Sequence, residues 1–190
     1  LPTYGEFYEE RWFTPSVREN LLIDFNGEDV VFGSKIILTS TIPSSLKISA
    51  EICEDLWVPD PPSTHHAIAG ATLIVNGSAS DELIGKSEYR RDLVSGQSAR
   101  INGAYIYSDA SEGESTTDMV FTGSNVIAEN GTVLKAVDYS LDELIITEID
   151  TDRLERERYV RNTFPVSEEG YSYISFSFRE EETLLTRAID

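Results

Sequence analysis

The five residues Ala71-Thr72-Leu73-Ile74-Val75 form an apolar run without alternation, the pattern of a strand buried on both faces. Upstream, Leu46 to Cys53 alternates cleanly. Leu46, Ile48, Ala50 and Ile52 share one face, and Lys47, Ser49, Glu51 and Cys53 fall on the other. Between the two strands, Pro59-Asp60-Pro61-Pro62 bends the chain into Ser63, which reads as the N-cap of a short helix through Ala69. Lys86 to Asn102 then reads as helix and Ala104 to Tyr107 as a short strand. Earlier, Leu21–Phe25, Val30–Phe32 and Lys35–Leu38 are β-like runs set apart by Asn26-Gly27 and Gly33. Later, Met119 to Ile149 reads as three or four strands, Thr151 to Val160 as a charged helix and Tyr171 to Phe178 as an alternating strand. Strand, helix, strand, helix, strand and then an antiparallel-looking group make a mixed α/β chain of about one domain. The order leaves the topology open.

Charge narrows the partners. With 15 Lys plus Arg against 34 Asp plus Glu, the net charge of −19 repels polyphosphate and anionic lipid. Neither a nucleic acid nor a membrane is expected as a partner. One Cys excludes an internal disulfide and a Cys-rich zinc site. At 40% hydrophobic and 10% aromatic, the chain is too apolar to be disordered as a whole. No secretion pattern precedes Leu1, so the expected setting is the cytoplasm. The aromatic-rich opening through Phe13 reads as the middle of a longer protein.

Cys53 is the first candidate for chemistry. A single Cys at a strand end is most often a small buried hydrophobe. Here it lies opposite the apolar row, at the carboxyl end of its strand, where open α/β sheets place their ligands. Glu51, Glu54 and Asp55 crowd it with negative charge, so an attacking thiol needs an activator from elsewhere in the fold. His65 and His66 point about 100° apart on a helix, too divergent to chelate one ion, and no third His is present. No metal site is expected. Ser78 and Ser80 read first as hydroxyls capping a turn, and the sequons at Asn76 and Asn130 lack a secretion signal to give them use. No phosphate-binding glycine loop occurs.

Glu51-Ile52-Cys53-Glu54-Asp55-Leu56-Trp57 with Pro59 resembles the nucleophile motif of the nitrilase superfamily. Leu1-Pro2-Thr3-Tyr4, Glu6-Phe7-Tyr8-Glu9 and Arg11-Trp12-Phe13 narrow the resemblance. So do Pro61-Pro62-Ser63, Asn76 to Ser80, Gly85-Lys86, Tyr89-Arg90-Arg91 and Gly113 to Asp118. Together they are similar to the glutaminase domain of the glutamine-dependent NAD synthetases as far as about Gly131, and from there the likeness rests on Asp150, Leu154 and Arg158. Gly77 departs from the family, which has an apolar residue there, and would loosen the loop holding the substrate.

The resemblance implies an α/β fold of the nitrilase-like α-β-β-α sandwich type, with residues 1–190 as its C-terminal part and the synthetase domain outside the chain. It implies a thiol amidase, in which Cys53 attacks the glutamine side-chain amide, releases ammonia and leaves a thioester for water. Tyr4, Phe7, Glu54 and Ser80 match the family's glutamine pocket. Glu54 and Ser80 would read the α-amino group, and the rings of Tyr4 and Phe7 would wall the site. The family's general-base Glu and oxyanion Lys precede the Leu-Pro-x-Tyr element, so the isolated chain is expected to be inactive. No cofactor is implied for this part, ATP and Mg belonging to the synthetase domain. The implied partners are glutamine, that synthetase domain and further copies of the chain. Two rivals stand beside this reading: another nitrilase-type carbon–nitrogen hydrolase, and a non-catalytic assembly module that uses apolar surface and strand edges.

Overall fold

A parallel core of three strands organises the chain: β4 (Lys47–Ile52), β5 (Leu73–Ser78) and β6 (Ala104–Asp109). The computed structural model describes residues 7–15, 19–139, 144–177 and 185–188. β3 (Ile36–Ser40) pairs antiparallel with β4, and β9 (Ser172–Phe176) runs parallel to β3 at the edge. On the other side β7 (Asn125–Glu129) and β8 (Thr132–Val137) follow β6 antiparallel, completing a seven-stranded sheet ordered β8-β7-β6-β5-β4-β3-β9. β1 (Leu21–Phe25) and β2 (Glu28–Phe32) form a separate hairpin that turns at Asn26 and Gly27, both at positive φ. Among the described residues no helix is long and apolar enough to cross a membrane.

The parallel strands need crossovers, and these are helical. α2 (Pro62–Ile68) links β4 to β5, and α3 (Lys86–Arg100) links β5 to β6; α1 is the short Glu9–Trp12 turn near the start. Both crossover helices pack on one sheet face, where Ala67, Ile74, Val94, Tyr105, Tyr107 and Val126 form the main core. The opposite face is covered at the amino ends of the strands by α4 (Thr151–Val160), whose fully buried Leu154 meets Leu46, Leu73 and Ala104. Asp150 caps α4 by accepting from the Arg153 N–H at 2.9 Å. Arg158 sits under the sheet, donating to the Asn102 carbonyl at 3.0 Å and stacking on Phe164 at 5.0 Å. The three residues that carry the downstream resemblance are thus a cap, a core plug and a half-buried clamp.

The alternation of β4 is present, but its faces are inverted. The polar members Ser49 and Glu51 are the buried ones, at 4% and 2% exposure, whereas Ile52 is 71% exposed and Leu38 opposite Ile48 is 39% exposed. The neighbouring strand β3 and the helix α2 supply partners for the polar atoms. Ser49 donates to the Ile36 carbonyl at 2.7 Å, and Glu51 accepts from the Ser63 N–H at 2.7 Å. Ser63 is correspondingly not a cap. Pro61 occupies that position, and Ser63 lies buried inside α2, where its hydroxyl accepts from Gln97 at 2.9 Å. Gly77 stands within β5 rather than in a loop, between Ile52 and Ser108, and a Cβ there would meet nothing within 4 Å. Two strands, not three or four, form between 119 and 149 among the described residues. The stretch before them closes a polar loop, through Thr116 N–H to Met119 and Phe121 N–H to Ser115.

The two histidines part company. His65 pairs with Asp60 at the surface, 2.9 Å away. His66 is buried between the Tyr171 hydroxyl at 2.8 Å and the Ala50 carbonyl at 3.2 Å, and burial pulls its pKa down to about 4. The unfolded chain takes up this proton near pH ~6.5 and the folded chain resists it, so neutral His66 contributes fully above that pH. The contribution is lost as pH falls from about 6.5 through about 4, reaching on the order of 3 kcal/mol. His66→Gln, which keeps a donor and an acceptor, is expected to flatten the acid limb of the pH–stability curve measured by urea titration. An acid limb as steep as the parent's would contradict the assignment.

Candidate active site

At the carboxyl ends of β4, β5 and β6 the chain brings together Cys53, Ser78, Ser80 and Asp109. Cys53 ends β4 in the left-handed region, φ 51°, a conformation that costs a non-glycine residue roughly 1–2 kcal/mol. The surrounding hydrogen bonds hold it there. Its N–H donates to Asn76 Oδ1 at 2.8 Å, and Asn76 Nδ2 donates back to the Cys53 carbonyl at 3.3 Å. Asp55 accepts from the Ile52 N–H at 2.8 Å, closing the tight turn of Cys53–Trp57.

Asn76 is itself anchored. Its amide also donates to the Tyr105 hydroxyl at 2.9 Å, and that hydroxyl donates to Glu51 Oε1. Glu51 is therefore the terminal acceptor of a buried chain that begins at the backbone of Cys53. Burial raises its carboxyl above the usual range, against the lowering effect of the Tyr105 and Ser63 hydrogen bonds. This placement revises the crowding expected from the sequence at Glu51, which turns under the helices, whereas Asp55 accepts from the Ile52 N–H and still lines the groove beside Cys53.

Cys53 lies between two concavities. On one side a cavity of about 200 Å³ is lined by Phe7, Cys53, Glu54, Trp57, Ser80, Asp81 and Lys86. On the other an open groove of about 860 Å³ runs past Ile52, Gly77, Ser108 and Asp109. In the cavity the Lys86 ammonium pairs with Asp81 and lies 5.4 Å from the Trp57 ring, which in turn meets Tyr89 at 5.3 Å. Behind Ser80, the fully buried Arg90 donates to the Ser80 hydroxyl at 3.3 Å, pairs with Glu82 at 3.1 Å and lies 3.6 Å from Asp109. Burial raises the Asp109 carboxyl even so, with Ser80 N–H and Ala110 N–H as its donors.

Phe7, Cys53, Glu54 and Ser80, all singled out from the sequence, line this one cavity. Tyr4 lies outside the described residues. Lys86, Trp57, Asn76, Tyr105 and Tyr107 were not singled out for chemistry from sequence alone. The Asn76 sequon was read as idle, and its Asn is 2% exposed and engaged three times. A visible signal was the period-two spacing of Tyr105 and Tyr107, which puts both hydroxyls on one face of β6.

Residues 2–159 match the model of the carbon-nitrogen hydrolase family. The chain is 40% identical over 186 residues to the glutamine-dependent NAD(+) synthetase of Mycobacterium tuberculosis, covering 94% of this chain and 27% of that protein. It thus spans about a quarter of the length of the curated relatives it matches first. Among solved structures, a glutamine-dependent NAD(+) synthetase from Cytophaga hutchinsonii aligns with TM-score 0.60 and 33% identity, over 72% of this chain and 21% of that one. A carbon-nitrogen hydrolase from Helicobacter pylori aligns with TM-score 0.63 at 19% identity, over 84% of this chain and 53% of that one, a likeness of fold.

Removing the Tyr105 hydroxyl leaves Glu51 Oε1 and the Asn76 amide short of a partner in a buried setting. Tyr105→Phe is expected to cost about 1–3 kcal/mol in a urea titration. A cost near zero would mean that water replaces the hydroxyl.

Proposed function

The chain belongs to the carbon-nitrogen hydrolase family, and on that premise we propose that it is the nucleophile-bearing part of a glutaminase. In this reading the Cys53 thiolate attacks the side-chain carboxamide carbon of glutamine. The tetrahedral adduct expels ammonia, which takes up a proton, and water hydrolyses the remaining glutamyl thioester to glutamate. The Glu54 N–H, next after the nucleophile, is a donor for the oxyanion. Ammonia then serves a synthetase domain of the parent protein, which amidates deamido-NAD in the cytoplasm.

The observation that carries the reading is the charge pattern of the cavity beside Cys53. A zwitterionic amino acid needs an anion for its ammonium and a cation for its carboxylate. The cavity offers Glu54 and Asp81 against Lys86, with Trp57 and Phe7 as apolar walls. Ser80 has a second lone pair free to share with the α-ammonium while it accepts from Arg90. Small aliphatic amides carry neither charge and would make no use of those groups, which argues against the other nitrilase-type hydrolases.

Among the described residues the Cys53 sulfur has one hydrogen-bond partner, the Ser78 hydroxyl, and it donates. A base must therefore come from outside this set. The chain by itself is expected to hydrolyse glutamine several orders of magnitude more slowly than a complete amidase. Turnover clearly above a Cys53→Ala blank would sink that expectation.

The assembly reading keeps one specific support, the uncovered apolar row of Leu38, Ala50 and Ile52. It predicts self-association that Cys53→Ala leaves unchanged. The two readings are compatible.

The substrate is tested by intact-mass labelling with the glutamine mimic diazo-oxo-norleucine. One adduct at Cys53, slowed by glutamine but not by butyramide, is expected, and Lys86→Met is expected to weaken the glutamine protection about tenfold. Equal protection by both amides would refute a glutamine pocket.

A further inference from the structure

Two hydrogen-bond chains converge on Cys53, and the second has no role in the reaction as described above. It starts at the fully buried Tyr107, whose ring lies 6.0 Å from the buried Arg90 guanidinium. Tyr107 donates to Ser78 Oγ at 2.6 Å, and Ser78 Oγ donates to Cys53 Sγ at 3.3 Å.

Tyr107 donates to Ser78, which keeps its own proton to donate to the sulfur. Burial pushes Tyr107 up to about 12, so it keeps the proton that the first link requires. Both dipoles point their positive ends at Cys53.

We propose that Ser78 is a catalytic residue whose hydroxyl stabilises the Cys53 thiolate, and that Tyr107 is a positioning residue that holds its proton on the sulfur. The inference deepens the glutaminase reading and rests on it for the identity of the nucleophile. The relay supplies donors only. It lowers the cost of the anion and cannot receive the thiol proton, so it complements a general base rather than replacing one. Its electrostatic setting is otherwise unfavourable. Glu54 and Asp81 from the cavity side, and Glu9, Asp55 and Asp109 from the groove, oppose an anion at Cys53, against Lys86 as the one lining cation among the described residues.

The test is the pH profile of Cys53 alkylation by iodoacetamide, read by intact mass on the chain and on Ser78→Ala, Ser78→Thr and Tyr107→Phe, with Cys53→Ala as the blank. Ser78→Ala is expected to move the midpoint upward by about one pH unit and to slow alkylation about tenfold at neutral pH. The rate at the alkaline plateau is expected to be unchanged. Tyr107→Phe is expected to move the midpoint the same way by less, and Ser78→Thr, which keeps the hydroxyl, to leave it in place. An unmoved midpoint in Ser78→Ala, or equal displacement in Ser78→Thr, would overturn the proposal. Because iodoacetamide does not need the substrate cavity, this outcome is separate from glutamine protection. A moved midpoint without glutamine protection would leave the relay standing and remove the substrate.

Discussion

Everything at the carboxyl end of the sheet depends on the side chain of Asn76 bridging the backbone of Cys53. One amide group satisfies both the N–H and the C=O of a residue forced to positive φ. A turn of that kind stores strain, and strained turns persist only where neighbours over-determine them. Here the neighbours are two strands and a buried carboxylate, since Asn76 is tied through Tyr105 to Glu51 and Glu51 to the start of α2. Cys53 is thereby fixed to the parallel core rather than to a mobile loop.

β6 serves both chains of hydrogen bonds. Tyr105 and Tyr107 are two residues apart, point to the same face and are both fully buried beneath the crossover helices. Tyr105 leads from the Cys53 backbone down to an acceptor, Glu51. Tyr107 leads through Ser78 up to the Cys53 sulfur. The backbone is held by a chain that ends in a carboxylate, and the sulfur faces a chain of hydroxyl donors. The dense packing of Ala67, Val94 and Val126 around the tyrosine rings keeps the surroundings dry and the hydrogen bonds directional.

Much of this was legible in the residues. The β-α-β-α-β order, the helix over 151–160 and the position of Cys53 at a strand end all follow from periodicity and turn chemistry. The family likeness brought Phe7, Cys53, Glu54 and Ser80 to one cavity. What periodicity could not reveal was which face of β4 is buried. Alternation shows that two faces differ, and the usual rule assigns the apolar one to the core. Here Ser49 and Glu51 take the core because β3 and α2 carry matched partners, while Ile52 faces open space. Ser63 misled in the same way. It looks like a cap and instead serves as a buried junction between Glu51 and Gln97. Polar residues that satisfy each other across 12, 29 and 34 positions of sequence leave no local signature.

The most direct test of the Asn76 bridge is amide hydrogen exchange at Cys53. The N–H is accepted by a side chain that is 2% exposed, so its exchange is expected to be slow and to match that of neighbouring β4 amides. In Asn76→Ala that single amide is expected to exchange far faster, while the amides of Ile48 to Ala50 keep their protection. A Cys53 amide that exchanges at the rate of an exposed loop in the parent chain would contradict the account, because the turn would then not be held from beneath.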